Sequence, residues 1–284
     1  MKHYTIKINK NEALRFLGYH GNKADALVAR QLDEAAELLE RIVLPAYTYR
    51  VFELNRVPQI PPGEFPVDSS VPASQQPVSL PDGDRKNKSE DFRPSALPPG
   101  AENPTFSEST VLPPDSELYL KGTSIRLPGT DASSFLEECH SCIMMAVTIG
   151  RRVDEELRRR QITDMSGAVI LDSCASSAVE SICNQLEADL EKEFEDRGLF
   201  LTDRFSPGYG DLPLDLQPAI CRTLATEKIT GLSITGGMLM MPTKSVTAFI
   251  GIADRPQPKK LTGCAHCRMN TTCNYRKAGV TCAG

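Results

Sequence analysis

The chain reads as an α+β protein, a twisted antiparallel sheet flanked by helices. Two observations predict this. Apolar stretches of strand character and amphipathic helical stretches follow one another without the regular strand–helix–strand alternation of a parallel sheet. The 284 residues, 40% of them hydrophobic, also suffice for a sizeable core.

Asn22 is a fair helix N-cap, and Ala24, Leu27, Val28, Leu32, Ala35, Leu38, Leu39 and Ile42 recur at helical spacing until Pro45. YTYRVFEL follows as a strand of aromatic and β-branched residues. Thirteen of the 21 prolines then fall between Pro58 and Pro114, in a stretch too poor in apolar residues to offset its chain entropy. LYLKGTSIRL (118–127) is a second strand-like run beyond it. If the two runs pair, the Pro-rich stretch is an insertion in one sheet. A short helix over 133–138 leads into CIMMAVTIG, a continuous apolar run expected as a buried strand. RRVDEELRRRQ is a charged helix, and a long helix runs over about 166–194. The first half of that long helix, GAVILDSCASSAVESIC, is rich in small residues that let another helix or a ligand approach its backbone. Gly198 is a plausible stop. PLDLQPAICRTLA gives one more helix, and SVTAFIGIA a last strand. The organisation read from this is 1–54 (helix and strand of the main fold), 55–116 (Pro-rich linker or insertion), 117–255 (the main domain) and 256–284 (a Cys-rich tail).

Charge and composition exclude several classes. A net charge of −5 argues against a phosphate-backbone binder, so no nucleic acid is expected. No apolar run reaches the ~18 residues of a membrane span. The N-terminus has no apolar leader, so a cytoplasmic location is expected. No phosphate loop, GxGxxG, HExxH or GxSxG motif occurs, and the four histidines are dispersed.

Arg204-Phe205-Ser206-Pro207-Gly208-Tyr209-Gly210 is the segment with chemical potential. Its glycines and proline force a tight loop that can approach a ligand closely. Arg204 offers a bidentate fork for a carboxylate, and Tyr209 a face and a hydroxyl.

RFSPGYGDLPLD, followed by ITGGMLMMPTKSVTAFIGIAD, resembles the S-adenosylmethionine-binding activation domain of cobalamin-dependent methionine synthase. The family's Arg-x-x-x-Gly-Tyr signature is matched by Arg204, Gly208 and Tyr209, and its Pro-x-x-Ser-Val turn by Pro242, Ser245 and Val246. Pro207 and Pro213 match its Pro-Gly-Tyr-Pro-x-x-Pro stretch, but Gly210 replaces the second proline. The resemblance covers roughly residues 118–255 and, more loosely, 5–54. It implies that Arg204 holds the methionyl carboxylate of S-adenosylmethionine and that Glu180 faces its amino or sulfonium cation. Backbone of Ser206 and Gly208 would read the adenine, with Tyr209 packed beside it. Asp172 would either touch the ligand amine or cap a neighbouring loop. It further implies a free-standing reactivation component for a partner methionine synthase holding inactive cob(II)alamin. One electron from a flavodoxin or ferredoxin and one methyl from S-adenosylmethionine would regenerate methylcobalamin. The protein then mainly positions the donor, in keeping with the lack of a visible general base or nucleophile.

Nine cysteines remain, four of them within 19 residues: Cys264, Cys267, Cys273 and Cys282. These can converge on one metal. Zinc would be a structural clip, and an iron–sulfur cluster could carry the electron; the spacing does not choose between them. Cys139 and Cys142 are expected at a helix–strand junction and Cys174 and Cys183 in the core. Met238, Met240 and Met241 are expected to fill core, with some lining a corrinoid contact. Rival functions are reactivation of another corrinoid methyltransferase, and a non-catalytic S-adenosylmethionine sensor or adaptor with a zinc tail.

Overall fold

The computed structural model describes residues 4–19, 24–58, 116–258, 271, 272 and 277. The Pro-rich stretch and the four tail cysteines lie outside these residues.

The described chain is α+β. Helices α1 (Lys10–Phe16) and α2 (Ala26–Ile42) precede strand β1 (Ala46–Pro58). After the Pro-rich stretch come β2 (Ser116–Leu120), β3 (Arg126–Leu127), α3 (Thr130–Phe135), β4 (Ser141–Thr148), α4 (Arg151–Thr163) and the 31-residue α5 (Met165–Glu195). Strand β5 (Phe200–Phe205), a 3₁₀ turn (Leu214–Leu216), α6 (Gln217–Leu224), α7 (Thr226–Ile229), β6 (Ser233–Ile234), β7 (Met240–Met241) and β8 (Ser245–Ala253) complete it. One six-stranded sheet has the order β3-β2-β1-β4-β8-β5, antiparallel throughout, and β6 and β7 form a separate hairpin.

β1 and β2 pair in register, Leu54 opposite Leu120, so the strands on either side of the Pro-rich stretch share one sheet. LYLKGTSIRL is not one strand. It breaks at Gly122 (φ +78°) into the β2–β3 hairpin. Asp25, not Asn22, caps α2, its carboxylate accepting from the Val28 amide at 2.8 Å, and Asn22 is outside the described residues. The helix expected over 133–138 begins earlier, at Thr130, because its amides are capped from a distant loop described below. PLDLQPAICRTLA divides into a 3₁₀ turn and α6, with Pro218 in the first turn, where its missing N–H costs nothing. Helix α1 was not anticipated; it is too short for periodicity to reveal, but Asn9 caps it through the Asn11 and Glu12 amides.

The continuous apolar run became β4 because it is central and covered on both faces. On one face, Ile143, Met145 and Val147 join Ala248, Ile250 and Ile252 of β8 and the buried stripe of α5. On the other, Met144 and Ala146 pack with Phe249, Phe135, Phe205 and Ile220. Helix α2 brings Leu32, Ala35 and Leu39 to the first core, each buried leucine contributing about 1.5–3 kcal/mol. Cys139, Cys142, Cys174, Cys183 and Cys221 are buried.

The small residues of α5 admit the chain's own N-terminal segment. Ser177 and Ser181 accept hydrogen bonds from the amides of Asn9 (3.0 Å) and Lys7 (3.1 Å). Ser173 donates to the Ala13 carbonyl, and Gln185 to that of Thr5 (2.9 Å).

Gly251 sits where a Cβ would lie 2.4 Å from Cys139 Sγ and 2.8 Å from Leu136 Cδ2. Gly251→Val is expected to lower stability by about 1–3 kcal/mol through overpacking, measurable as a reduced urea midpoint; an unchanged midpoint would show that this face is not close-packed.

Candidate functional site

The Arg204 loop begins where β5 leaves the sheet. Arg204 pairs with Ile250 of β8, and a register shift between Leu201 and Arg204 adjusts which way the strand's end presents its side chains. The Arg204 side chain, 17% exposed, meets α5. Its Nη2 donates to Glu180 Oε2 at 2.7 Å and lies 3.4 Å from Asn184 Oδ1. Its Nη1 lies 2.7 Å from Glu187 Oε1. These two atoms are buried and form a close ion pair. Burial opposes the guanidinium charge, but the Glu187 and Glu180 carboxylates outweigh it and hold the Arg204 pKa above its usual value. Beneath, burial pushes the Cys183 thiol up to about 12, so it stays protonated.

The structure brings Arg204 and Glu180 together, in contact with each other, and adds Asn184 and Glu187. Glu180, Asn184 and Glu187 follow the i, i+4, i+7 spacing of one helix face, a signal that was present in the sequence.

Phe205, on the opposite side of the strand from Arg204, stacks on Phe135 with centroids 5.0 Å apart and anchors the loop. The Tyr209 amide donates to the Ser206 carbonyl at 3.0 Å, and the Gly208 amide to the Leu212 carbonyl at 2.7 Å. Gly208 has φ +93°, and a Cβ there would press on Leu214. Tyr209 is 62% exposed at the tip. Gly210, standing where the resembled motif has a second proline, has φ +58°; proline is locked near −65° and could not follow this path. A Cβ at Gly210 would also lie 2.2 Å from Asp131 Oδ2. That carboxylate accepts from the Asp211 amide at 3.1 Å, while the Asp211 carboxylate accepts from the amides of Thr130 (2.7 Å) and Asp131 (3.2 Å). The loop and the start of α3 therefore cap each other.

Asp172 lies towards the N-terminal end of α5, paired with Lys244 Nζ at 2.8 Å; Lys244 also donates to Ser176 at 2.9 Å. Asp172 thereby ties the helix to the Pro242–Ser245 turn. The same turn is held by Asp154, 5% exposed, which accepts from the Thr243 amide at 2.9 Å and from its hydroxyl. The Met241–Pro242 bond is cis. Met240 packs partly against the second core. Met238, at 40%, and Leu239, at 66%, are exposed on the β6–β7 hairpin, which corrects the expectation that Met238 fills core. Among the described residues no group of three or more His, Cys, Asp or Glu side chains is placed to hold a metal, and no helix is long and apolar enough to cross a membrane.

A curled antiparallel sheet with a long helix on one face, its edge strand ending in a glycine-rich loop, defines the class of fold. Thirteen chains of solved structures are similar. One is the crystal structure of the MetH reactivation domain bound to AdoHcy: the likeness covers 97% of this chain and 82% of that one, at 13% identity and a TM-score of 0.51. The chain therefore has the methionine synthase reactivation domain fold. No protein-family model and no curated protein matches the sequence.

Desolvation works against ionisation of Asp211, but the amides of Asp131 and Thr130 overcome it and hold its carboxyl below the usual range. A depressed folded pKa gives stability that is present above the unfolded pKa and lost as pH falls through the folded one. Asp211→Ala is expected to cost about 1 kcal/mol at neutral pH, and the gap in melting temperature from the parent should close below about pH 4. A gap independent of pH would refute the capping role.

Proposed function

We propose that this chain binds S-adenosylmethionine beside Arg204 and presents it for reductive methylation of inactive cob(II)alamin on a partner methionine synthase. The observation that carries this is the single guanidinium held between two glutamates next to a glycine–tyrosine loop, in a fold whose solved neighbour is bound to AdoHcy.

The donor set fits an amino-acid end. One cation and two carboxylates leave an excess negative charge, so the site can take a carboxylate and an ammonium together. The ligand carboxylate displaces Glu187 from Nη1 and takes its place as the charge-assisted partner of the guanidinium. Glu180 and the released Glu187 then face the ammonium or the sulfonium. The Gly208 amide is turned into the loop, so Gly208 offers its carbonyl to the adenine amino group. Ser206 flanks that contact, and Tyr209 covers the ring. Asp172, through Lys244, keeps the Pro242–Ser245 turn against α5 and acts on the site by positioning.

In the reaction one electron reduces cob(II)alamin to cob(I)alamin. The cobalt electron pair then takes the methyl as its bond to sulfur breaks, leaving S-adenosylhomocysteine. The metal centre and methyl supply that chemistry, and this chain holds the donor. Residues 1–54 and 117–255 form the donor-binding unit, with 55–116 an insertion in it and 256–284 the tail. Cys264, Cys267, Cys273 and Cys282 hold an iron–sulfur cluster that relays the electron from a flavodoxin or ferredoxin. The first support is that four thiols lie within 19 residues.

Arg204→Ala is expected to weaken S-adenosylmethionine binding by about 2–3 kcal/mol, with Arg204→Lys retaining part of the loss, since an ammonium lacks the fork. Calorimetry on both variants decides this, and unchanged affinity removes Arg204 from the site. Incubation with cob(II)alamin synthase, a reductant and methyl-labelled donor should give labelled methylcobalamin; a sensor would bind the donor and yield none. The tail is checked separately. Anaerobically purified protein should be brown, with visible charge-transfer absorption, and a colourless zinc-only sample would end the relay role without touching donor binding.

A further inference from the structure

A second groove lies on the other flank of α5, away from Arg204. Its volume is about 470 Å³, and it is lined by Tyr4, Tyr47 and Tyr49 and by the C-terminal part of α5. Tyr47 and Tyr49 are on β1, which β4 and β8 separate from the Arg204 strand, so the two places are distinct. We infer that this groove is a binding site for an organic cation, an alkylammonium or guanidinium head received by the tyrosine rings and the carboxylates beside them.

Three features point the same way. First, the aromatic side chains are gathered and half-buried, with the Tyr4 and Tyr47 rings tilted at 42° and 5.2 Å apart. Aromatic rings gathered beside carboxylates attract a desolvated cation. Second, the charge is of the complementary sign. Asp189, Glu193 and Asp196 line the groove against one cation, Lys192, a balance of −2 (three acids less one base). Third, the phenols are kept as neutral donors and π faces. The Tyr4 hydroxyl donates to Asp189 Oδ2 at 2.8 Å. Burial first, and then that hydrogen bond, hold the Tyr4 proton on; burial and the charge of Glu193 do the same for Tyr49. Its size suits a lysine or arginine head or a small free amine.

The chain has seven tyrosines, three of them in the groove, and no tryptophan, so tyrosine fluorescence registers binding there, and the groove variants assign the response to it. The full chain is titrated with tetramethylammonium, n-butylammonium and N-acetyl-lysine amide, and with neutral 3,3-dimethylbutanol as a control of equal bulk. Saturable quenching by the cations at concentrations at least about tenfold below the alcohol is expected. Stronger response to the free amines would assign the site to a small molecule, and stronger response to the blocked lysine to a partner's side chain. Glu193→Gln should weaken the response about threefold to tenfold, Tyr49→Phe should preserve it, and Tyr49→Leu should abolish it. Circular dichroism of each variant confirms folding, and Glu193→Gln, at an exposed position, keeps the test open should Tyr49→Leu unfold. Equal response to alcohol and cations, or no effect of Glu193→Gln, overturns the proposal. The outcome is independent of S-adenosylmethionine binding at Arg204.

Discussion

One guanidinium fastens the edge of the sheet to its longest helix. Arg204 is the last outward link of β5 before the chain leaves the sheet, and it is held by Glu180 and Glu187, two turns apart on α5. Taking such ions out of water costs several kcal/mol each, and the mutual attraction only roughly offsets it. The cluster is therefore poor value as a device for stability alone. What it supplies is placement: the strand end, and the loop that follows it, cannot drift from α5 without leaving a charge buried and alone.

Much of this was legible in the residues. β4 and β8 were readable as apolar runs because both are covered on two faces, and α5 because its periodicity lasts through many turns. The resemblance singled out Arg204 and Glu180 for a ligand's two ends, not for each other, and Glu187 was overlooked although it shares the helix face of Glu180. Other features were out of reach for physical reasons. Asp211 and Asp131 cap across some eighty residues of sequence, and no local pattern encodes a partner that distant. The early start of α3 follows from that cap, so its boundary could not be read locally either. Met238 shows the limit of composition: an apolar residue with φ +62° at a hairpin tip is exposed by its backbone, whatever its side chain prefers.

The small-residue half of α5 shows how one pattern admits two meanings. Alanines, serines and cysteines lower the helix surface so that something can lie on it. That something is the N-terminal segment, whose amides and carbonyls find partners in the serine hydroxyls instead of in a sheet. Hydroxyls on a helix usually compete with its own backbone; here they serve a neighbour's. The same segment brings Tyr4 alongside Tyr47, so the docking that shields α5 also completes the aromatic groove.

The pairing of β1 with β2 has a consequence for how this chain can change. Pro58 and Ser116 stand opposite one another in the ladder, so everything between them departs and returns at a single doorway. Closing a longer or shorter excursion there alters the chain entropy by only about 0.6 kcal/mol per doubling of length. That junction is a natural port: evolution, or an engineer, could exchange the intervening cargo for another module while the sheet carries on undisturbed.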